Sequence, residues 1–146
     1  MTGLEFLRAI AAGELPGAPI AELLGFAPVE AEEGRVVFAA VPDQTHYNPI
    51  GTVHGGLAAT LLDSAMGCAV HSTLAAGAGY TTLELKVNFT RPITTETGRI
   101  LCEGTVVHRG GRVATAEGRV FAEADGTLLA HGTTTCLIFS PNGNGG

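Results

Sequence analysis

Two features of this sequence have residue types and spacing suited to chemistry. The first is His54-Gly55-Gly56; the second is Asp63, eight residues beyond Gly55. If a helix begins at the glycines, its first backbone N–H groups have no intrahelical partner and the helix dipole favours negative charge there. Glycine removes the Cβ that would keep a ligand away from those donors. Such an end can hold a developing oxyanion. Asp63 is the one charged residue in the run from 52 to 77. A carboxylate in apolar surroundings is rarely tolerated unless it is paired or used, so it is a candidate general base or nucleophile.

These residues sit in the stretch 48–77, NPIGTVHGGLAATLLDSAMGCAVHSTLAAG. Buried strands seldom exceed about eight residues, so a run this long and apolar predicts a helix. Leu57, Leu61, Ala65 and Cys68 recur at helical spacing, and neighbouring stripes are apolar too. A helix apolar on nearly every side must be enclosed, and a sheet is expected to wrap it. Eight residues of helix separate Gly55 from Asp63 by about 12 Å, too far for both to touch one carbonyl. Two such helices packed antiparallel about a two-fold axis would bring Asp63 of one subunit to Gly55 of the other. Two-fold homodimers are the commonest oligomers, so a shared site in a dimer, or a dimer of dimers, is expected.

With 146 residues, 45% hydrophobic and 15% charged, one domain with a real core is expected across 1–146. A formal charge of −6 argues against nucleic acid or an anionic membrane as partner. The charge is uneven: residues 1–80 hold eight acids and two bases, residues 81–146 six of each. The second half could therefore present cations to an anionic group. Three widely spaced cysteines, Cys68, Cys102 and Cys136, form no C-x-x-C pair and read as buried free thiols in a reducing compartment. MTGLEFLRAI lacks the basic and apolar regions of a signal peptide, so a cytoplasmic location is expected. No metal-ligand spacing links His46, His54, His71, His108 and His131, so no metal is expected. Apart from His54, these histidines read as structural.

An amphipathic helix is predicted over 2–12 and a further turn over 20–24, together an N-terminal helical segment 1–24. A turn at 30–34 leads to a strand over 35–41 and a loop over 43–51. After the central helix, Leu83, Leu85, Val87 and Phe89 alternate with Thr82, Glu84, Lys86 and Asn88, the period of a half-buried strand. Strands at 99–108, 112–123 and 127–139 follow, divided by Arg109-Gly110-Gly111 and Asp125-Gly126. One face of the last two reads Ala114, Ala116, Gly118, Val120, Ala122 and Leu128, Ala130, Gly132, Thr134, Cys136. Small residues there would let a helix lie close. The tail 141–146 reads as disordered. The fold class is α+β, a curved antiparallel sheet around one long helix.

The pattern N-P-x-G-x-V-H-G-G from Asn48 to Gly56, with Asp63 following, resembles hotdog-fold thioesterases of the phenylacetic-acid-degradation (PaaI) type. The resemblance runs from about residue 25 to 139. It implies hydrolysis of an acyl-CoA thioester, with coenzyme A arriving as part of the substrate and no separate cofactor. Gly55 would donate its N–H to the thioester carbonyl, with Gly56 beside it and His54 supporting the loop. Asn48 would position the carbonyl or the water, and Asp63 of the partner subunit would act as base or nucleophile. A Ser or Thr on the following strand helps hold the water in the family. Thr82, in phase with the polar face, is the choice over Thr81, which would point to the apolar side. Arg91, Arg109 and Arg112 are candidates for the CoA phosphates. Aryl or arylacetyl groups come first as the acyl class, medium-chain groups next. A hotdog hydratase would carry Asp-x-Asn-Pro-x-His, and this chain keeps only the Asn-Pro. A non-catalytic acyl-CoA-binding or sensor module on the same fold is the alternative.

Overall fold

In the computed structural model, which describes residues 1–140, two short helices lead the chain, α1 (Gly3–Ala11) and α2 (Pro19–Leu24). Thr2 and Glu5 form a capping box on α1, while Pro19 opens α2 and Gly25, at φ 79°, closes it. The hairpin β1 (Phe26–Glu32) and β2 (Arg35–Ala40) comes next, then a loop with a short 3-10 turn, then α3 (Gly55–His71). Four strands follow: β3 (Gly79–Phe89), β4 (Ile100–Arg109), β5 (Val113–Ala122) and β6 (Leu128–Phe139). The tail expected to be disordered lies outside the described residues.

The six strands form one antiparallel sheet in the order β1-β2-β4-β5-β6-β3. It curls around α3, the hotdog layout. Leu61, Leu62, Ala65, Met66, Ala69 and Val70 of α3 are all fully buried. Their fit depends on a row of glycines. Gly104, Gly118 and Gly132 pair in register across β4, β5 and β6. A Cβ on Gly104 would stand 2.4 Å from the Ala65 backbone, and one on Gly118 2.9 Å from Met66 Cγ. The helix therefore rests almost on the sheet backbone.

Three local expectations are corrected. Residues 30–32, expected in a turn, belong to β1, and the turn tightens to Glu33-Gly34 with Gly34 at φ 84°. β1 is an edge strand interrupted by Pro28 and an adjacent register shift, so its alternation is broken and its acids face solvent. Leu128 is 39% exposed and Leu129 is buried in its place, because the β5–β6 register slips at Val120/Phe121. On β3, Leu83 and Phe89 are 57% and 59% exposed, since this strand is the other edge of the sheet. Among the described residues no helix is long and apolar enough to cross a membrane.

Gly104→Ala drives a methyl into the α3 backbone and is expected to destabilise the fold by about 2 kcal/mol or more. Gly111→Ala, at a position with open space around it, serves as the control. Denaturant unfolding of both, with a lower midpoint for the first alone, checks the glycine row.

Candidate functional site

The start of α3 is held from its own side chains and from the preceding loop. His54 is the N-cap, its Nδ1 accepting the Gly56 N–H at 2.7 Å. The His54 N–H donates to the His46 carbonyl at 2.7 Å, and Val53 N–H to Ile93 at 2.8 Å. His46 is buried, its Nδ1 accepting from the Asp43 N–H and its Nε2 lying 2.6 Å from the Leu24 carbonyl. The imidazole thus carries its proton on Nε2 and ties the loop to the end of α2. Asn48 is spent locally: its Oδ1 accepts from Ile50 and Thr52 N–H, and its Nδ2 donates to Thr52 Oγ1. Gly55 lies under the ring of Phe89, where a Cβ would come within 3.0 Å of Cζ. Asn48, His54, Gly55, Phe89 and Arg91 line one cavity of about 320 Å³.

Asp63 lines a different cavity, of about 390 Å³. It is half-buried, and Thr82 Oγ1 donates to its Oδ1 at 2.8 Å. The structure thus brings Thr82 to Asp63, but not by the phase argument. A β-bulge between Thr82 and Glu84 inverts the alternation, so Thr82 shares the helix-facing side with Leu85 and Val87 instead of joining Glu84 and Lys86. Thr81 is exposed. Of the arginines, only Arg91 stands near Gly55. Arg109 donates to Thr73 Oγ1 and to the Gly110 carbonyl, and Arg112 lies in the adjoining turn, both at the opposite end of α3.

Within one chain, then, the Gly55 group and Asp63 open into separate cavities. The start of α3 presents Gly55, with the Gly56 N–H taken up by His54, while Asp63 is a carboxylate held by a hydroxyl. Comparison with known proteins identifies the scaffold. The thioesterase superfamily profile matches residues 50–129, more than half of the chain. The chain belongs to the thioesterase superfamily. It is 30% identical to human acyl-coenzyme A thioesterase 13 over 73% of this chain and 75% of that protein. A Halobacterium salinarum protein named as a candidate esterase is 42% identical over 77 residues, 51% of this chain and 49% of that one, so the match spans about half of that relative. Among solved structures, a phenylacetic-acid-degradation-related candidate thioesterase from Ralstonia eutropha superposes with TM-score 0.79 at 29% identity. The alignment covers 90% of this chain and 98% of that one. The matched segment contains both His54-Gly55-Gly56 and Asp63.

The Asp63 cavity has lining residues that motif reading missed. Phe6, Ile10 and Phe26 come from α1 and β1, and Ser64, Cys68 and Tyr80 lie close to the acid. Tyr80 is packed on Gly67, where a Cβ would meet its hydroxyl at 2.6 Å, and shares a hydrogen bond with Cys68. Ser64 and Cys68, one and five residues after Asp63, do not share its i+3/i+4 stripe, and the contribution of α1 left no signal either. Burial pushes the Cys68 thiol up to about 12, and the Asp63 charge adds to it. Burial likewise raises the Tyr80 hydroxyl and lowers His71. None of the three favours its charged form.

Cys68 is accordingly expected to resist alkylation. At pH 8 a thiol with pKa 12 is roughly one part in ten thousand thiolate, against about a quarter for an ordinary cysteine. Labelling should rise about tenfold per pH unit above 8, and Asp63→Asn should accelerate it by removing one of the causes. Peptide-mapped iodoacetamide rates would test this; fast labelling at neutral pH contradicts it.

Proposed function

We propose that this thioesterase hydrolyses an acyl-CoA to the free acid and coenzyme A, at sites shared between two subunits. The observation that carries the reading is the hydrogen bond from Thr82 to Asp63, a carboxylate lining a largely apolar cavity, on a helix whose glycine start suits an oxyanion. A thioester is reactive enough that a carboxylate and one oxyanion donor suffice. The Asp63 carboxylate takes the proton of a water that attacks the thioester carbon, or attacks that carbon itself to form a mixed anhydride that water then hydrolyses to the free acid. Negative charge gathers on the carbonyl oxygen against the Gly55 N–H of the other subunit. Collapse breaks the C–S bond, and the coenzyme A thiol leaves with a proton.

The position of β3 supports a shared site. Thr82 with Asp63 stands near its start, and Phe89 over Gly55 at its end, about 20 Å away. This edge exposes Leu83, Leu85 and Phe89, and an unpaired apolar edge invites a partner strand. A two-fold pairing centred between Leu85 and Lys86 sets Thr82 of one copy opposite Phe89 of the other. Asp63 and Gly55 then face each other across the interface. Two such dimers stacked together would give a dimer of dimers. Arg91, beside Gly55, is the first choice for the CoA phosphates; Arg109 and Arg112 are remote from it. The three free thiols suit a reducing, cytoplasmic setting.

Free-thiol release from aryl-, arylacetyl- and medium-chain acyl-CoAs tests the proposal. Asp63→Asn is expected to lower turnover by about a hundredfold or more. Thr82→Val, which removes the hydrogen bond to the carboxylate, should cost about tenfold. Turnover that survives Asp63→Asn sinks the mechanism. Tight acyl-CoA binding by a folded dimer without turnover favours the sensor module instead.

A further inference from the structure

The Asp63 cavity has a far end. It follows α3 from Asp63 past Ser64 and Cys68 to His71, eight residues or about 12 Å along the axis. There the rings of Phe6 and His71 meet at 5.6 Å between centroids, tilted by 50°, and His71 meets Tyr80 at 5.7 Å. Behind the same two rings lies a second recess of about 210 Å³, bounded by Met1, Ala75 and Gly77 among others. Phe6 and His71 are the residues that line both spaces. They form a partition one ring pair thick.

The partition is fixed in place. Gly3 N–H donates to the Leu74 carbonyl at 3.1 Å, and a Cβ on Gly3 would collide with the His71 carbonyl oxygen at 1.8 Å. The start of α1 is thus seated directly on the end of α3, which holds Phe6 over His71. Phe6 is 38% exposed, so its ring is a cover and not a core element.

We propose that Phe6 and His71 form the end wall of the acyl site and set the longest acyl group this thioesterase accepts. The inference rests on the hydrolase reading above and deepens it. An apolar cavity of about 150 Å³ suffices for benzene. The 390 Å³ here takes one substituted aromatic ring or a medium straight chain, and the wall stops anything longer. Burial keeps His71 below its ordinary range, so the wall is uncharged at neutral pH.

The test is thiol release from short, medium and long straight-chain acyl-CoAs by the full chain, with Phe6→Ala and Phe6→Trp. Phe6→Ala joins the two spaces and is expected to raise the long-to-medium ratio of kcat/KM by about tenfold, while Phe6→Trp lowers it. A purely structural role for Phe6 would scale all substrates together and leave that ratio fixed. A ratio unchanged in both variants overturns the proposal. If the wild type turns over no acyl-CoA, the hydrolase reading fails separately. The wall is then judged by the same ratio taken from equilibrium dissociation constants, and an unchanged ratio overturns it there too.

Discussion

The structure depends on how closely α3 approaches the sheet. A helix with apolar residues on nearly every side must be enclosed, and six strands can enclose it only if their inner face is low. Gly104, Gly118 and Gly132, paired in one row, supply that low face. The resulting contact is backbone against backbone near Ala65, which leaves α3 little freedom to slide or rotate. Both chemical features ride on this helix. Its rigidity is therefore transmitted to the Gly55 end and to the Asp63 carboxylate alike.

The enclosure is incomplete on one side, and Thr82 and Phe89 both lie along the gap. β3 is an edge whose bulge turns Thr82 inward to Asp63 and whose far end lays Phe89 over Gly55. A regular strand would have sent Thr82 outward and left Asp63 without its hydroxyl partner. One irregular residue thus decides whether the acid is held. The N-terminal helices cover the remaining gap beside α3 and convert it into a cavity that ends at Phe6 and His71.

The polar groups around this cavity follow a common electrostatic rule. Low-polarity surroundings disfavour the charged forms of Cys68, Tyr80 and His71, so each is kept neutral. Arg35 and Arg119 pair with Glu103 on β4 instead of serving the site. Those contacts hold the Glu103 carboxyl below its usual range even though burial opposes it.

Read alone, the sequence determined the central helix, the α+β class, the hairpin strands of the second half and the spacing of Gly55 from Asp63. These are properties of local period and of helix rise, which need no knowledge of neighbours. It also pointed to Thr82, though for a reason the bulge reversed, and it missed the first edge strand because Pro28 and the flanking acids hide its alternation. Tertiary structure alone decided that Asn48 hydrogen-bonds within its own loop and that Arg91 parts company with Arg109 and Arg112. It alone placed Phe6, more than fifty residues before Asp63, on the same cavity. Bulges, edge positions and contacts between distant segments arise from packing, and packing leaves no fixed interval in the chain.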